Sequence, residues 1–406
     1  MKSISVMILL LISSVALLAQ ADTLHFTAPQ FLNSFYDHYT VNYLNAIAAG
    51  RGHTGAGLDG NIENSLQNPA AFSTDHSQFY FEIFLKPPIK EMTEGLEQNY
   101  QSVVPLGMLA YGYHPKKNLN VGFSYSTPQT IEYYLLSIQL QTDDYYYLYP
   151  SYNLHRLTAT CNYDWHNLRV GLNLFNEIYH FKDITTWGTN IFDRVDKTDY
   201  ALRFEPGIYY KYDRFSAGAG YLAKTRHDFK FQYQTFKTTL PSQLNAGIGY
   251  TSETARLAAD MDLVRCSEMS DQFKDRYIIK AGFEKDHHKY TFRGGFMSVP
   301  SVWHGVYELP TYNANLAWNP YQDEFPQTGV IKSTGQSMVT GGFTWHSSPF
   351  DFTLSFIHDV QHNVNYTSVF GAMGINISKF TFKDIFPGDK KDTTPSDDDT
   401  EIEYLN

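Results

Sequence analysis

The sequence is poor in cysteine, with only Cys161 and Cys266 among 406 residues. Two cysteines are too few for a small secreted scaffold held by several disulfides, and the sequence has no CxxC pairs that would build a structural zinc site. Cys161 is expected on an apolar, outward face and Cys266 on the polar face of a distant strand. The sequence therefore predicts no disulfide between them, because bonded cysteines must lie close together.

Long apolar segments are also missing after the first twenty residues. A transmembrane helix needs about 20 consecutive apolar residues, and a mean hydropathy of −0.36 is too polar for a bundle of such helices. Basic patches are absent as well, and the formal net charge is −11. Nucleic acid is therefore excluded as a partner, because its binding needs clustered positive charge.

Much of the negative charge lies at the C-terminus. Residues 387–406 contain seven acidic residues against two lysines, a net charge of −5. Low hydrophobicity and high charge are typical of disorder. The sequence predicts a disordered periplasmic tail here, with a docking peptide for a periplasmic or secreted protein as the functional alternative.

Residues 1–21 have the order of a secretory signal. Lys2 is followed by the apolar stretch Val6–Leu18 and then by Ala19-Gln20-Ala21. A basic start, a short apolar region and an A-x-A site are the three parts of an export signal. We expect the mature chain to begin at Asp22.

Tyr and Phe are abundant, at 31 and 29 residues, and both favour β-strands. From about residue 76 to residue 382, apolar residues alternate with polar or small ones, most clearly over Asn167–His180. Successive side chains of a strand point to opposite faces, so each such segment separates an oily surface from a polar one. In Asn167–His180 the apolar face carries Leu168, Val170, Leu172, Leu174 and Ile178, and the other face carries Arg169, Gly171, Asn173, Glu177 and Tyr179.

The connections between these segments alternate in length. Short polar turns, such as Trp165–Asn167, alternate with longer connections, such as Lys86–Ser102, Ser126–Ser151 and Lys182–Lys197. Outer-membrane barrels alternate in this way, with their short turns facing the periplasm. The sequence therefore predicts an all-β protein, a transmembrane antiparallel β-barrel over residues 76–386, in which the chain enters the first strand and leaves the last strand on the periplasmic side.

About fourteen strands are predicted. Twelve or sixteen are the alternatives, because Glu132–Tyr149 could pair as well. The predicted spans are 76–86, 103–114, 119–127, 152–164, 167–181, 198–212, 214–226, 241–251, 255–266, 276–286, 289–299, 336–347, 350–361 and 365–382.

Residues 22–75 have a different pattern and are predicted to be an N-terminal extension and a hatch. Phe35–Ala49 is amphipathic enough for a short helix. Four glycines between Gly50 and Gly57 rule out a stable helix or central strand there, and suit a chain packed in a confined space. Apolar residues of the extension are expected to line the lumen beside a ligand or to pack the plug: Phe31, Phe35, Tyr36, Tyr39, Tyr43 and Leu44.

Residues Gly50–Phe72 read GRGHTGAGLDGNIENSLQNPAAF. The Gly-Arg start, the closely spaced glycines and the Asn-Pro-Ala resemble the N-terminal segment of the outer-membrane long-chain fatty-acid transporter family (FadL-like). The resemblance implies a fourteen-stranded barrel of the bacterial outer membrane, plugged by this hatch, that takes up hydrophobic small molecules such as long-chain fatty acids. The ligand would leave by a shifted hatch or a lateral gap between strands. The hatch residues implied are Gly50, Arg51, Gly55, Gly57, Asn68, Pro69 and Ala70.

Two features depart from that family. About 28 mature residues, Asp22–Ala49, precede the motif, and the acidic tail is atypical. Related barrels with the same hatch motif are secretion-system accessory proteins. The alternative function is therefore a scaffold barrel that binds secreted or periplasmic proteins.

Enzyme motifs are missing. The sequence contains no His-Glu-x-x-His, no Gly-x-Ser-x-Gly and no phosphate-binding loop. The fifteen histidines show no spacing that singles out a catalytic base. We therefore predict no catalytic residue, no cofactor and no metal, and expect membrane lipids and a hydrophobic small molecule as the partners.

Two further sets of residues are candidates for function. Inward-facing charges are predicted to form ion pairs that wet the lumen and hold the hatch, with a selective ion or substrate path as the alternative: Arg169, Glu177, Arg203, Glu205, Lys211, Asp260, Asp262, Arg276, Lys280, Glu284 and Arg293. An apolar patch in the predicted loop 133–152 would either capture an oily ligand or form an aromatic girdle at the membrane interface: Tyr133, Tyr134, Leu135, Leu136, Tyr145, Tyr146 and Tyr147.

Overall fold

In the computed structural model, fourteen antiparallel strands of the described residues close into one barrel. Consecutive barrel strands pair with each other, and the first pairs with the last, with Gln78 opposite Asn376. The strands are β1 Gln78–Leu85, β2 Leu106–Lys116, β3 Leu119–Gln139, β4 Ser151–Trp165, β5 Leu168–Trp187, β6 Asn190–Tyr212, β7 Phe215–Leu222, β8 Gln243–Thr251, β9 Ala255–Val264, β10 Arg276–His287, β11 Tyr290–Val299, β12 Gln336–Ser347, β13 Phe350–Asp359 and β14 Thr367–Asn376.

The structure describes residues 22–24, 44–85, 89–93, 96–101, 106–139, 145–148, 151–187, 190–230, 235–269, 273–300, 305–310, 327–331, 335–360 and 367–379. The predicted signal, residues 1–21, and the predicted tail, residues 387–406, lie outside these ranges. Side chains at the tips of several strands lie outside them as well.

The barrel has two unlike ends. At the turn end, pairs of strands are joined by tight turns such as Lys117–Asn118 and His288–Lys289. The chain also enters β1 and leaves β14 at this end, where the Ile377 amide donates to the Ser77 carbonyl at 2.9 Å. The opposite, loop end carries the longer connections. The predicted alternation of short and long connections is therefore confirmed except between β5 and β6, where only residues 188–189 separate Trp187 from Asn190.

The predicted number of strands is confirmed, but three strands are longer than predicted. β3 continues to Gln139, and the β5–β6 ladder runs out to Trp187 paired with Asn190. The predictions of loops at Ser126–Ser151 and Lys182–Lys197 were therefore wrong. Hydrophobic alternation is required only where a strand faces lipid, whereas the backbone ladder continues beyond that point without it.

The aromatic patch is strand rather than loop. Residues Tyr133–Leu136 lie in β3, and the short strand Tyr145–Leu148 pairs with both β3 and β5. Part of Glu132–Tyr149 is therefore paired, as the alternative strand counts assumed. This pairing lengthens the wall but adds no strand to the ring. The side chains of this patch lie outside the described residues, so its role stays a prediction.

Additional short strands lie in the connections at the loop end. Two hairpins, Ile89–Thr93 with Leu96–Gln101 and Thr225–Lys230 with Thr235–Leu240, lie in the connections β1–β2 and β7–β8. Asp22–Leu24 pairs in parallel with Gly305–Pro310, in the connection between β11 and β12. The N-terminal extension therefore starts at the loop end.

The outer surface of the barrel is apolar. Leu202 is 83% exposed and Leu174 is 54% exposed, while their sequence neighbours Arg203 and Asn173 are buried. Exposed Trp165, Tyr212 and Phe215 stand near the turn end, as in the aromatic girdles of membrane barrels. A belt of this size is unfavourable in water and faces lipid. The predicted outward and inward faces are confirmed.

No helix within the described ranges is long and apolar enough to cross a membrane.

The two cysteines do not form a disulfide. Cys161 is exposed on β4, as predicted. The prediction for Cys266 was wrong, because β9 ends at Val264 and Cys266 is buried in a short 3-10 turn, Cys266–Glu268.

Residues 44–75, which we name the hatch segment, contain little regular structure. They form helix α1, Ala46–Gly50, a 3-10 turn at Ile62–Leu66, and one bridge between Gly60 and Phe72. The predicted helix Phe35–Ala49 is described only from Leu44, and the helix begins at Ala46. Apolar hatch residues pack against inward-facing Met108, Met297 and Phe370, which form the buried core.

Candidate functional site

Inward-facing side chains from widely separated strands hold the hatch segment. Asn162 of β4 donates to the carbonyls of Pro69 and Phe72 at 2.9 and 2.7 Å. Across the ring, the Thr340 hydroxyl of β12 accepts from the Gly52 amide at 2.8 Å. Because these strands lie on different sides of the barrel, the segment occupies the lumen.

The start of α1 is fixed by a buried carboxylate of β1. Glu82 accepts from the amides of Asn45 and Ala46 at 3.1 and 2.6 Å, and the Tyr80 hydroxyl donates to Glu82 at 2.5 Å. The Asn45 side chain caps the helix by accepting from the Ala48 amide at 3.0 Å. Sequence reasoning missed Glu82, although Tyr80 and Glu82 alternate with apolar residues along β1.

Two hatch amides converge on one carboxylate. Asp260 of β9 is buried and accepts from the Gly55 and Ala56 amides at 2.6 and 2.8 Å. Hydrogen bonds to a charged acceptor are stronger than those between neutral groups. The glycine-rich stretch, which has few side chains of its own, is thereby anchored through its main chain.

All seven residues that the family resemblance implied contact the wall or the rest of the hatch. Gly50 accepts from Thr340 at 3.2 Å, and Gly57 accepts from Ser216 at 2.6 Å. Asn68 donates to the carbonyls of Ala56 and Ile208 at 3.0 and 2.9 Å. The remaining contacts are Arg51 with Glu284, Gly55 with Asp260, Pro69 with Asn162, and Ala70 with Arg169.

Glu284 of β10 is the centre of a charge cluster of four residues. It lies directly opposite Arg256 on β9 and Arg293 on β11, and the three are joined by contacts of 3.3 and 2.5 Å. Arg51 of the hatch approaches the same carboxylate at 3.5 Å. One buried carboxylate therefore offsets three guanidinium groups, one of which comes from the hatch.

Most of the other predicted lumen charges are also paired. Glu177 contacts Arg156 at 2.5 Å and Arg203 at 3.4 Å, and Lys280 contacts Asp262 at 2.5 Å. Glu205 accepts from Asn173 at 2.8 Å, and Arg276 is buried. Arg169 and Lys211 each contact Asp59 of the hatch at 3.0 Å. The sequence could not pair these charges, because pairing depends on strand register.

Burial inside the barrel changes the titration of two hatch groups. Burial raises the pKa of the Glu63 carboxyl to about 7, against the opposing effect of Arg51. Burial, assisted by nearby Lys280, lowers the pKa of His53 to about 3. The lumen around the hatch therefore favours the uncharged form of both groups.

Glycines of the wall let the hatch main chain approach the strands closely. A Cβ atom at Gly282 would overlap the Arg51 carbonyl oxygen. Sequence reasoning missed this set, whose signal is glycine at inward positions of strands. The wall glycines whose added Cβ would meet main-chain atoms of the hatch are Gly171, Gly218, Gly247, Gly249, Gly282, Gly295 and Gly342.

We expect Gly282→Ala to destabilise the docked hatch by about 1–3 kcal/mol, because an added methyl group in a tight contact forces the backbone apart. The matched control is Gly371→Ala, where the new Cβ would meet Ile83 at an ordinary distance of 3.4 Å. Hydrogen exchange of the hatch amides measures the difference. Equal protection in the two variants would mean that close packing does not hold the hatch.

The outer wall carries a concave groove of about 650 Å³. It crosses β1 to β6 at one height, and its outward-facing lining is almost entirely apolar. Phe123, Leu157 and Leu202 are 59%, 46% and 83% exposed. The outward lining residues are Phe79, Leu109, Tyr111, Phe123, Tyr125, Leu157, Ala159, Leu174, Asn176, Leu202 and Phe204.

The ladder between β3 and β4 is broken beside this groove. Ser126 pairs with Arg156, but the next pair is Gln129 with Leu154, so Thr127 and Pro128 form a bulge. Pro128 has no amide hydrogen to donate. On the other side, β3 is paired with β2 up to Ser126, and described pairing resumes only at Glu132. Among the described residues, the backbone ladder on either side of β3 is therefore interrupted at this point, and the Thr127 hydroxyl donates to the Leu106 carbonyl.

The hatch lies against the inner face of the same wall. An added Cβ at Gly112 or Gly122, the paired glycines of β2 and β3, would contact Ile62 of the hatch. The groove faces outward at the neighbouring residues Tyr111 and Phe123. One strand thickness therefore separates the groove from the hatch.

In the parts of the chain that the structure describes, no group of three or more His, Cys, Asp or Glu residues could hold a metal ion.

Comparison with known proteins gives matches only in structure. No family model matches the sequence, and no curated protein matches it. The chain is similar to the crystal structure of the toluene transporter TbuX of Ralstonia pickettii, with a TM-score of 0.58, 13% identity and coverage of 82% of this chain and 98% of that chain. A FadL homologue of Pseudomonas aeruginosa gives a TM-score of 0.59 and 10% identity, with coverage of 82% of this chain and 98% of that chain.

The toluene transporter TodX of P. putida gives a TM-score of 0.59 and 13% identity, with coverage of 81% of this chain and 97% of that chain. The aligned regions span nearly the whole of these three proteins, although sequence identity is low. The chain thus has the fold of the TbuX, TodX and FadL-homologue barrels.

Proposed function

We propose that this protein is a FadL-like transporter of the bacterial outer membrane that takes up hydrophobic small molecules. The observation that carries the proposal is a hatch segment held in the lumen by side chains from several strands, beside an apolar stretch of wall where the described ladder is interrupted. A water-soluble solute needs a water-filled pore, which the hatch segment obstructs. An apolar solute instead has a route that stays in contact with apolar surface.

The fold supports the same function. TbuX and TodX are toluene transporters, and a FadL homologue shares the architecture. Long-chain fatty acids, which the resemblance of the hatch sequence implies, belong to the same class of apolar ligand. In this proposal the loop end faces outside, the turn end faces the periplasm, and membrane lipids surround the belt.

Of the two exits that the resemblance implies, a shifted hatch or a lateral gap between strands, we propose the lateral gap. The ligand passes the wall near Thr127–Pro128, where few backbone hydrogen bonds have to break, and enters the groove outside. The hatch then stays docked, consistent with its main-chain anchors to Asp260, Thr340 and Asn162. Moving the whole hatch would instead expose buried charges such as Arg51.

The test is to fill the groove. Leu157→Trp places a large side chain in it, and Leu354→Trp makes the same change on β13, outside the groove lining, where Leu354 is 59% exposed to lipid. We expect Leu157→Trp to reduce the initial uptake of radiolabelled toluene and oleate into expressing cells several-fold. Leu354→Trp should leave uptake unchanged.

Cells without the protein give the baseline. Uptake no faster than this baseline for either probe contradicts the transport function. Normal uptake by both tryptophan variants contradicts only the lateral route. Heat-modifiable migration on gels shows that each barrel has folded.

A further inference from the structure

Just on the loop-end side of the hatch, two neighbouring strands present hydroxyl groups to the lumen and a third presents a carboxylate. Ser124 lies opposite Thr158, and Ser126 lies opposite Arg156, on β3 and β4. Arg156 in turn lies opposite Glu177 on β5. Directly paired residues of an antiparallel ladder have Cα atoms about 4.5–5.5 Å apart. These side chains therefore form one small patch, which we name the hydroxyl patch: Ser124, Ser126, Thr158 and Glu177.

The polar atoms of this patch are buried but unused. Among the described residues, the hydroxyls of Ser124, Ser126 and Thr158 and the Oε2 atom of Glu177 have no hydrogen-bond partner. None of the four residues is more than 8% exposed. The hydroxyl of Ser65, in the hatch turn beside Asn173, is also without a partner in that part of the chain. Buried polar groups are normally satisfied, so this cluster points to a polar ligand.

Among the described residues next to the patch, both guanidinium groups are matched by carboxylates. Arg156 donates to Glu177 Oε1 through Nη2 at 2.5 Å and Nε at 3.1 Å. Arg203 donates to the same oxygen at 3.4 Å and to the Pro241 carbonyl at 2.5 Å. With Glu205 on the next strand, two guanidinium groups face two carboxylates. An added carboxylate would meet the free oxygen of Glu177, whereas a hydroxyl could donate to it and accept from Ser126 or Thr158.

An apolar surface adjoins the patch. Phe175 is 2% exposed, and the Arg156 guanidinium lies 4.6 Å from its ring centre. Ser124, Thr158 and Phe175 also border the outer groove, and the bulge at Thr127–Pro128 follows Ser126 directly. The hydroxyls thus lie on the inner face and the apolar groove on the outer face of the same strands, so that a molecule passing the interrupted ladder at Thr127–Pro128 would leave the first for the second.

We propose that the hydroxyl patch binds the hydroxyl head of an uncharged amphipathic ligand, such as an alcohol or phenol, on its way to the lateral route. This inference rests on the proposed transport function and narrows its substrate class. It assigns Ser126 and Thr158 as specificity-determining residues that favour an alcohol over a carboxylate or a plain hydrocarbon of equal length.

The test compares three radiolabelled probes of equal chain length, 1-decanol, decanoate and decane, with full-length protein purified in amphipol. We expect 1-decanol to bind about tenfold more tightly than the other two, the effect of one to two hydrogen bonds. The double variant Ser126→Ala/Thr158→Val should lose this preference while decane binding stays unchanged. The matched control is Ser355→Ala, which removes another buried, inward hydroxyl without a described partner, on β13.

The outcomes distinguish a failure of the hydroxyl patch from a failure of the transport function on which it rests. Equal binding of the three probes, tightest binding of decanoate, or a preference that survives in the double variant overturns the hydroxyl patch and leaves hydrophobic transport standing. Loss of the preference in Ser355→Ala as well as in the double variant also overturns it, because the effect would then not be local. Failure of all three probes to bind, decane included, overturns the transport function and this inference together.

Discussion

Deleting Gly50–Ala70 is expected to turn a closed barrel into an ion-conducting channel. The deleted residues carry the contacts to Asp260, Glu284, Thr340 and Asn162, and without them the polar inner wall is open to water. Barrel diameter grows roughly linearly with strand number, so the conductance should fall somewhat below that of 16-stranded porins. Single-channel recording in planar bilayers, at neutral pH in potassium chloride, measures it.

The matched control for this experiment is deletion of residues 387–406, which should leave conductance at the background of the intact protein. A second opening variant, Asn162→Ala/Asp260→Ala, keeps the chain length and removes one anchor on each side of the lumen. It should produce flickering rather than steady current. An unchanged background in a folded hatch deletion would show that the segment does not close the lumen.

Replacing Glu284 by Gln is expected to cost about 3–5 kcal/mol of stability, the usual effect of removing one partner from a buried ion pair. Arg51 and Arg293 are at most 4% exposed in their side chains and would be left without their carboxylate. The free energy of unfolding in urea, followed by intrinsic fluorescence in detergent micelles, gives the magnitude. The loss should appear in the hatch and in β9–β11 together.

The same measurement on Glu253→Gln is the control, because Glu253 is exposed in the turn between β8 and β9. Substitutions at exposed positions usually change the free energy of unfolding by no more than about 0.5 kcal/mol. Adding Arg51→Met to Glu284→Gln should restore part of the loss by removing an uncompensated charge. A loss below about 1 kcal/mol in Glu284→Gln would mean that water reaches the cluster and screens it.

The barrel could be predicted from the sequence because its signals are local and repeated. The alternation of Leu202 and Phe204 with Arg203 and Glu205 shows which side chains face lipid, since a strand can present only two faces. The tight turns then give the strand number. The same reasoning failed at the tips of β3, β5 and β6, where the ladder continues although the apolar face has ended.

The hatch was predictable only in part. Glycines 50, 52, 55 and 57 indicate close packing, but not the partner against which the chain packs. Glu82, Asn162, Asp260 and Thr340 are separated from their hatch partners by 36 to 290 positions, and no pattern in one sequence specifies such pairs. Their common signal is weaker: polar residues at inward positions, which also occur where nothing is bound.

By itself the sequence determined which faces of the strands meet lipid, where the turns fall and where the glycine-rich segment lies. These features follow from the two-residue alternation of apolar and polar residues and from the conformational preferences of single residues. Only the tertiary structure decided which wall residues hold the hatch, where the described ladder is interrupted and which buried hydroxyls lack partners. Those features depend on the register of fourteen strands closed into a ring. A shift of one residue in any strand would turn its polar side chains outward to lipid.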